Sequence, residues 1–421
     1  MENSSRPAGA FSGETLSQSV YIHIPFCVRK CAYCDFTSFP GCEGRMGEYV
    51  DAVCREIDLS KTFFSEKDSG AEVSDSVDGF NEGKGQDNLS GTALRTIYFG
   101  GGTPSLLSPE MVEKILNTLR EVFGISEACE ITLEANPGTI DEEKLRAFKD
   151  AGVNRLSLGI QSLCDPVLKT LGRIHDSEAG KRAIEAAERA GFSNLSCDMM
   201  LGIPGQTMED VRSTLQFFLD NKVPHVSLYS LILEEGTPMF ETYQGDIEKF
   251  VSQEQDRAMY HEVVNTLKEH GFSHYEISNM SLPGYESRHN LMYWRAEEYY
   301  AFGLGAHYYL QGERGTHKAE TVDEYIATLR KEDIRKEDIY EVEERISEED
   351  QKKEFMMLGF RTGSGVKEQD FEERFGVKMD SAFAEEIRRE QKAGLIEHID
   401  GSYRLTDKGF DLANQVFSDY I

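Results

Sequence analysis

Six apolar runs, each followed by a short loop and an amphipathic helical pattern, fill the first half of this 421-residue chain. They read "SVYIHIP" (19–25), "LRTIYFG" (94–100), "CEITLEA" (129–135), "NRLSLGI" (154–160), "SNLSCDMM" (193–200) and "HVSLYSL" (225–231). Between them lie helix patterns such as "SPEMVEKILNTLREVFG". There a serine, a proline and an acid precede a 3.6-period apolar face that ends in glycine. "DEEKLRAFKDAG", "DSEAGKRAIEAAERAGF" and "MEDVRSTLQFFLDN" follow the same plan. Strands alternating with helices predict βαβ units and a parallel sheet. Six units predict an α/β fold built as a partial (β/α)6 barrel rather than a closed eightfold one.

The rhythm breaks at 65–91, "SEKDSGAEVSDSVDGFNEGKGQDNLSG", where seven acids and two lysines leave few apolar side chains. Such a segment cannot bury enough surface to offset its ordering entropy, so a disordered acidic insertion is expected. A flexible N-terminus (1–17) is expected before the barrel domain (18–240). An extension (241–340) and a C-terminal domain (345–421) follow. The last reads as three helices, a hairpin turning at Asp400–Gly401 and a closing helix, a winged-helix-like pattern. Its candidate recognition helix, "SAFAEEIRREQKAG", carries about as many acids as bases. The whole chain has 75 acids against 45 bases, a formal charge of -30. That balance disfavours nucleic acid and anionic membrane as partners. No apolar run reaches membrane-spanning length, and the start lacks the order of a secretory signal. Eight scattered and clustered cysteines suit a reducing, cytoplasmic setting rather than a disulfide scaffold.

In parallel βα architectures ligands bind at the C-terminal ends of the strands. After the first run stand Cys27, Cys31 and Cys34, in "HIPFCVRKCAYCDF". After the second comes "GGGTPS" (100–105). The third ends at Glu134 before "NPGT", the fourth leads to Gln161 in "GIQS", and the fifth carries Asp198 in "CDMMLGIPGQT". Three thiolates suit an iron–sulfur cluster with one iron left for an outside molecule. The alternative is a zinc site completed by a neighbour such as His23, although no second Cys or His pair at zinc-finger spacing is present.

The CxxxCxxC pattern, with Tyr33 before its last cysteine, resembles the signature of the radical SAM superfamily. "YIHIPFC", "GGGTPS", "LEANPGT", "LSLGIQS", "LGRIH" and "DMMLGIPGQT", in this order, resemble its coproporphyrinogen-oxidase-like branch over about residues 20 to 310. The resemblance implies that Cys27, Cys31 and Cys34 hold a [4Fe–4S] cluster whose open iron binds S-adenosylmethionine (SAM). It implies that Tyr21 packs near the methionine end and that Tyr33 offers its carbonyl to the adenine. Gly101, Gly102 and Thr103 would let backbone approach the methionine amino group. Glu134, Gln161, Arg173 and Asp198 would bind ribose hydroxyls, amino group and carboxylate. An electron donor is implied as a partner.

Within that branch the oxidase group carries a further cysteine two residues after the third, where this chain has Phe36. The heme-chaperone group has "CDF", as here, and an HNxxYW motif, present as His289, Asn290, Tyr293 and Trp294. The resemblance therefore implies heme as cargo, a heme-acceptor protein as partner, and His289 as a candidate axial ligand. His225, His274 and His307 are weaker candidates. The residues alone also allow His289, Tyr293 and Trp294 to be a hydrogen-bonded core. The expected function is heme chaperoning, with oxidative decarboxylation of coproporphyrinogen propionates as the alternative. Catalytic residues and the choice between monomer and homodimer stay open.

Overall fold

The computed structural model describes residues 18–64, 93–244 and 251–421. The expected flexible N-terminus (1–17) and acidic insertion (65–91) lie outside them. The six apolar runs form strands β1 (Ser19–Ile24), β2 (Leu94–Gly101), β3 (Ile125–Ala135), β4 (Arg155–Gln161), β5 (Asn194–Leu201) and β6 (His225–Ser230). They pair in chain order, all parallel. Helices α1 (Met46–Phe63), α2 (Pro109–Phe123), α3 (Glu142–Asp150), α4 (Ser177–Arg189) and α5 (Met208–Asp220) connect them.

Local signals set these helices. The Ser108 hydroxyl caps α2 by accepting from the Met111 N–H, Pro109 opens it, and Gly124 ends it at φ 74°. Thr207 and Asp210 make a reciprocal capping box on α5. In β1, Val20, Ile22 and Ile24 are fully buried in the core that α1 and α2 cover. Each such side chain contributes about 1.5–3 kcal/mol relative to exposure. The alternate residues of the strands face the other way and are polar: Tyr21, Tyr98, Thr132, Glu134, Ser157 and Asp198. This polar inner face carries the site.

The chain then adds strands at both edges of the sheet. After α6 (Gln253–Glu269) come β7 (Ser273–Glu276) and β8 (Asn279–Ser281); β8 lies antiparallel beside β6, and β7 pairs antiparallel with β8 at the edge. Helix α7 (Arg288–Trp294) follows, and then β9 (Tyr300–Phe302) runs parallel beside β1. The six-stranded core thus becomes an open nine-stranded sheet.

A second apolar cluster gathers Met356, Phe360, Phe371, Ile387, Tyr403 and Phe417 near the C-terminus. Its helices include Glu348–Gly359, Glu368–Phe375 and Ala384–Ala393. Its hairpin pairs Ile396–Ile399 with Ser402–Leu405, and Val366–Lys367 adds a third strand. Asp400 and Gly401 turn the hairpin with φ of 51° and 74°, a two-residue type I′ pattern. Among the described residues no helix is long and apolar enough to cross a membrane.

Candidate metal and cofactor site

The three cysteines lie on the loop that leaves β1, at the C-terminal mouth of the parallel strands. All eight cysteines of the chain are free thiols. Cys27 is buried, with its Sγ 3.5 Å from the Thr103 Oγ1 that follows β2. Arg173 donates from Nη1 to the Cys31 Sγ at 3.5 Å and to the Tyr33 hydroxyl at 3.5 Å. Burial raises the Cys34 thiol above its ordinary range, and Cys31 and Cys27 add to the shift. A bound cation reverses this, because it stabilises the thiolate.

Among the described residues, no group of three His, Cys, Asp or Glu side chains is arranged to hold a single metal ion. Three reduced thiols on one short loop, with an arginine and a threonine hydroxyl against two of them, would suit a cluster. The zinc alternative fails at His23. Its Nε2 bonds the Thr37 carbonyl at 2.9 Å and its Nδ1 the Tyr21 hydroxyl at 3.2 Å, so neither nitrogen is free.

The glycine edge has a structural cause. A Cβ on Gly101, where φ is +106°, would stand 2.5 Å from the His23 ring, and one on Gly102 2.7 Å from the Phe26 carbonyl oxygen. Only glycine lets β2 end this close to β1.

Arg173 is the hub on the other side. Its Nη2 donates to the Gly159 carbonyl at 2.6 Å and to Asn136 Oδ1. Asn136 Nδ2 in turn donates to Thr103 Oγ1 at 3.0 Å. Asn136 escapes a reading of strand ends alone, yet it lies two residues beyond Glu134, the spacing that keeps one face. Glu134 accepts from the Tyr98 hydroxyl at 2.8 Å. Asp198 accepts from Ser157 at 3.3 Å. Burial, reinforced by Asp198, pushes the Glu134 carboxyl up to about 7. Burial also raises Asp198.

Gln161 is buried at the end of β4 with φ 65°, and its Oε1 has no hydrogen-bond partner. The Arg173 Nε is likewise unpartnered. A free buried acceptor, a free buried donor and two carboxylates around one mouth fit a ligand with ammonium, hydroxyl and carboxylate groups, as SAM has. Cys27, Cys31 and Cys34 would hold the cluster. Tyr21, Gly101, Gly102, Thr103, Glu134, Gln161, Arg173 and Asp198 line the same mouth. A cluster and SAM held by these residues would supply one-electron chemistry at a sulfonium carbon–sulfur bond.

The HNxxYW residues lie elsewhere. His289 opens α7 deep against the inner face of β2 and is 1% exposed. One ring nitrogen, Nδ1, is 2.9 Å from Thr96 Oγ1, and Nε2 is 2.9 Å from the Tyr293 hydroxyl. The Thr96 hydroxyl donates to Ser19, so it accepts from Nδ1–H, and Nε2 then accepts from Tyr293. Burial pushes His289 down to about 3 and keeps it neutral. Both nitrogens are therefore committed, and in this conformation His289 offers no ligand position. Asn290 donates its N–H to the capping Ser287 hydroxyl. The Trp294 ring lies under the Arg361 guanidinium, 4.8 Å from its centroid. His225 is equally committed, to Ser196 and Tyr275; His274 stacks on Phe410; exposed His307 pairs with Glu343.

A three-thiol loop at the mouth of a six-stranded parallel sheet, beside a glycine edge and a polar lumen, defines a radical SAM protein. The sequence matches the Radical SAM superfamily over residues 21–218 and the HemN C-terminal domain over 346–412. The fold is that of coproporphyrinogen III oxidase (HemN) from Escherichia coli, with a TM-score of 0.76 at 18% identity. The match covers 96% of this chain and 89% of that one. Nearer in sequence are the heme chaperones HemW of Bacillus subtilis and Lactococcus lactis. The first is 36% identical over 96% of this chain and 99% of its own length. The second is 35% identical over 96% and 97%. The chain belongs to the HemW family.

Proposed function

We propose that this protein is a cytoplasmic heme chaperone. It binds a [4Fe–4S] cluster through Cys27, Cys31 and Cys34, binds SAM at the strand mouth, and carries heme to an acceptor hemoprotein. The observation that carries this reading is the near full-length similarity to two proteins named heme chaperone. Phe36 supports it, since this position holds a cysteine in the oxidase group. Phe36 is also 69% exposed beside the cysteine loop, so no packing demand selects it there. Heme ligation by His289 requires its ring to leave Thr96 and Tyr293.

Two measurements on the anaerobically reconstituted protein test the reading. Cys27→Ala is expected to abolish the iron–sulfur absorbance; full retention contradicts the ligand assignment. Incubation with coproporphyrinogen III, SAM and a reductant is expected to give no sustained decarboxylation. Turnover with stoichiometric 5′-deoxyadenosine release would make the protein an oxidase.

A further inference from the structure

His289 and the SAM-facing carboxylate Glu134 touch the same side chain. The Tyr98 hydroxyl donates to Glu134 Oε1 at 2.8 Å. The Tyr98 ring stacks on the His289 imidazole with centroids 5.1 Å apart and planes at 26°. On its other side Tyr98 stacks on Tyr21, at 6.2 Å and 23°. The imidazole is itself held by Thr96, two residues before Tyr98 on the same strand face, and by Tyr293 on its own helix. The His289 backbone N–H donates to Glu130 Oε1 at 3.1 Å, fixing the start of α7 on β3. A buried ring held at both nitrogens is a rigid surface. A tyrosine stacked on it has its hydroxyl aimed.

We propose that Tyr98 is a positioning residue of the SAM site and that His289 sets it, so the HNxxYW helix supports the Glu134 side of SAM binding. This inference rests on reading Glu134 as a SAM contact. It gives the motif a role in its observed, fully bonded state. It also means that any event drawing the imidazole out of its pocket loosens SAM.

Glu134 is faced by Tyr21 from β1, by Tyr98 and the Gly101 N–H from β2, by Arg155 from β4 and by Asp198 from β5. Tyr229 from β6 and Tyr293 from α7 complete its surroundings. Tyr21, Tyr98 and Tyr293 are raised by burial and stay neutral. Arg155 and the Tyr98 hydrogen bond favour the Glu134 carboxylate; burial and Asp198 oppose it. Removing the Tyr98 hydroxyl therefore moves ionisation of Glu134 to higher pH.

The test is SAM affinity of the cluster-loaded protein by calorimetry between pH 6 and 9, for wild type, Tyr98→Phe, His289→Ala and the double variant. Tyr98→Phe is expected to weaken SAM about tenfold near pH 7, the scale of one hydrogen bond to a charged group. Its affinity midpoint should move to higher pH. His289→Ala should weaken SAM in the same direction, yet cost nothing more in the Tyr98→Phe background, because both act through one contact. Should His289→Ala fail to fold, Thr96→Val releases the same imidazole at nearly constant shape, with the same expectation. Wild-type affinity and pH profile in the His289 and Thr96 variants, or additive losses, would overturn the inference alone. Absence of SAM binding by wild type would overturn the underlying reading of Glu134 instead.

Discussion

Arg173 reads in the sequence as easily as a helix-capping or surface arginine as it does a ligand-binding one. The structure gives it one place. It joins Cys31, Tyr33, Asn136 and the Gly159 carbonyl, and so spans from the cysteine loop to the ends of β3 and β4. Lysine keeps the charge but cannot bridge these groups from a planar fork. Arg173→Lys is expected to weaken SAM by about tenfold, or ~1.4 kcal/mol, with iron–sulfur absorbance retained. Unchanged affinity in equilibrium titration would contradict this placement. The cysteines were legible because their spacing is local. Asn136 and Tyr98 were not, since their partners lie 33 to 37 residues away. His289 was ambiguous for the same reason. The residue that occupies its Nδ1 is Thr96, 193 positions away.

At the scale of elements, the six parallel strands were legible because each is a run of at least six residues whose outward face is apolar. The added strands β8 and β9 were not, because three residues carry no periodicity and only sheet pairing defines them. The C-terminal hairpin was legible from Asp400–Gly401, whose positive φ values the turn demands. Helix Ala384–Ala393 holds a feature that no pattern revealed. Glu390 is 1% exposed and accepts from the Tyr420 hydroxyl at 3.1 Å. Burial, with help from Asp419, pushes it up to about 8. An unfolded glutamate ionises near its ordinary value of about 4.3. Between that value and about 8 the folded chain holds a proton the unfolded chain releases. Stability contributed here is therefore lost as pH rises through this window. Glu390→Gln should flatten thermal melting against pH, with its largest gain near pH 8. Melting curves that stay parallel to wild type from pH 5 to 8 would contradict it.

The whole molecule is tied together at α7. Its first turn fills the barrel lumen through His289, and its last residue packs under Arg361 of the C-terminal segment. Arg361 also lies over Phe417, and Arg374 donates to the carbonyls of Arg295 and Ala296 just past α7. The inner face of the sheet and the C-terminal core thus share one short helix. That geometry places the motif between the strand lumen and the C-terminal packing, a relation that spacing alone could not express. Heme carriage is tested most directly by transfer. Heme is added anaerobically to the cluster-loaded protein, the excess is removed, and an apo-hemoprotein such as apomyoglobin is mixed in. A Soret band on this protein that passes stepwise to the acceptor spectrum is the expected result. A protein that takes up no heme, or holds it without release while turning over coproporphyrinogen III, would contradict the account.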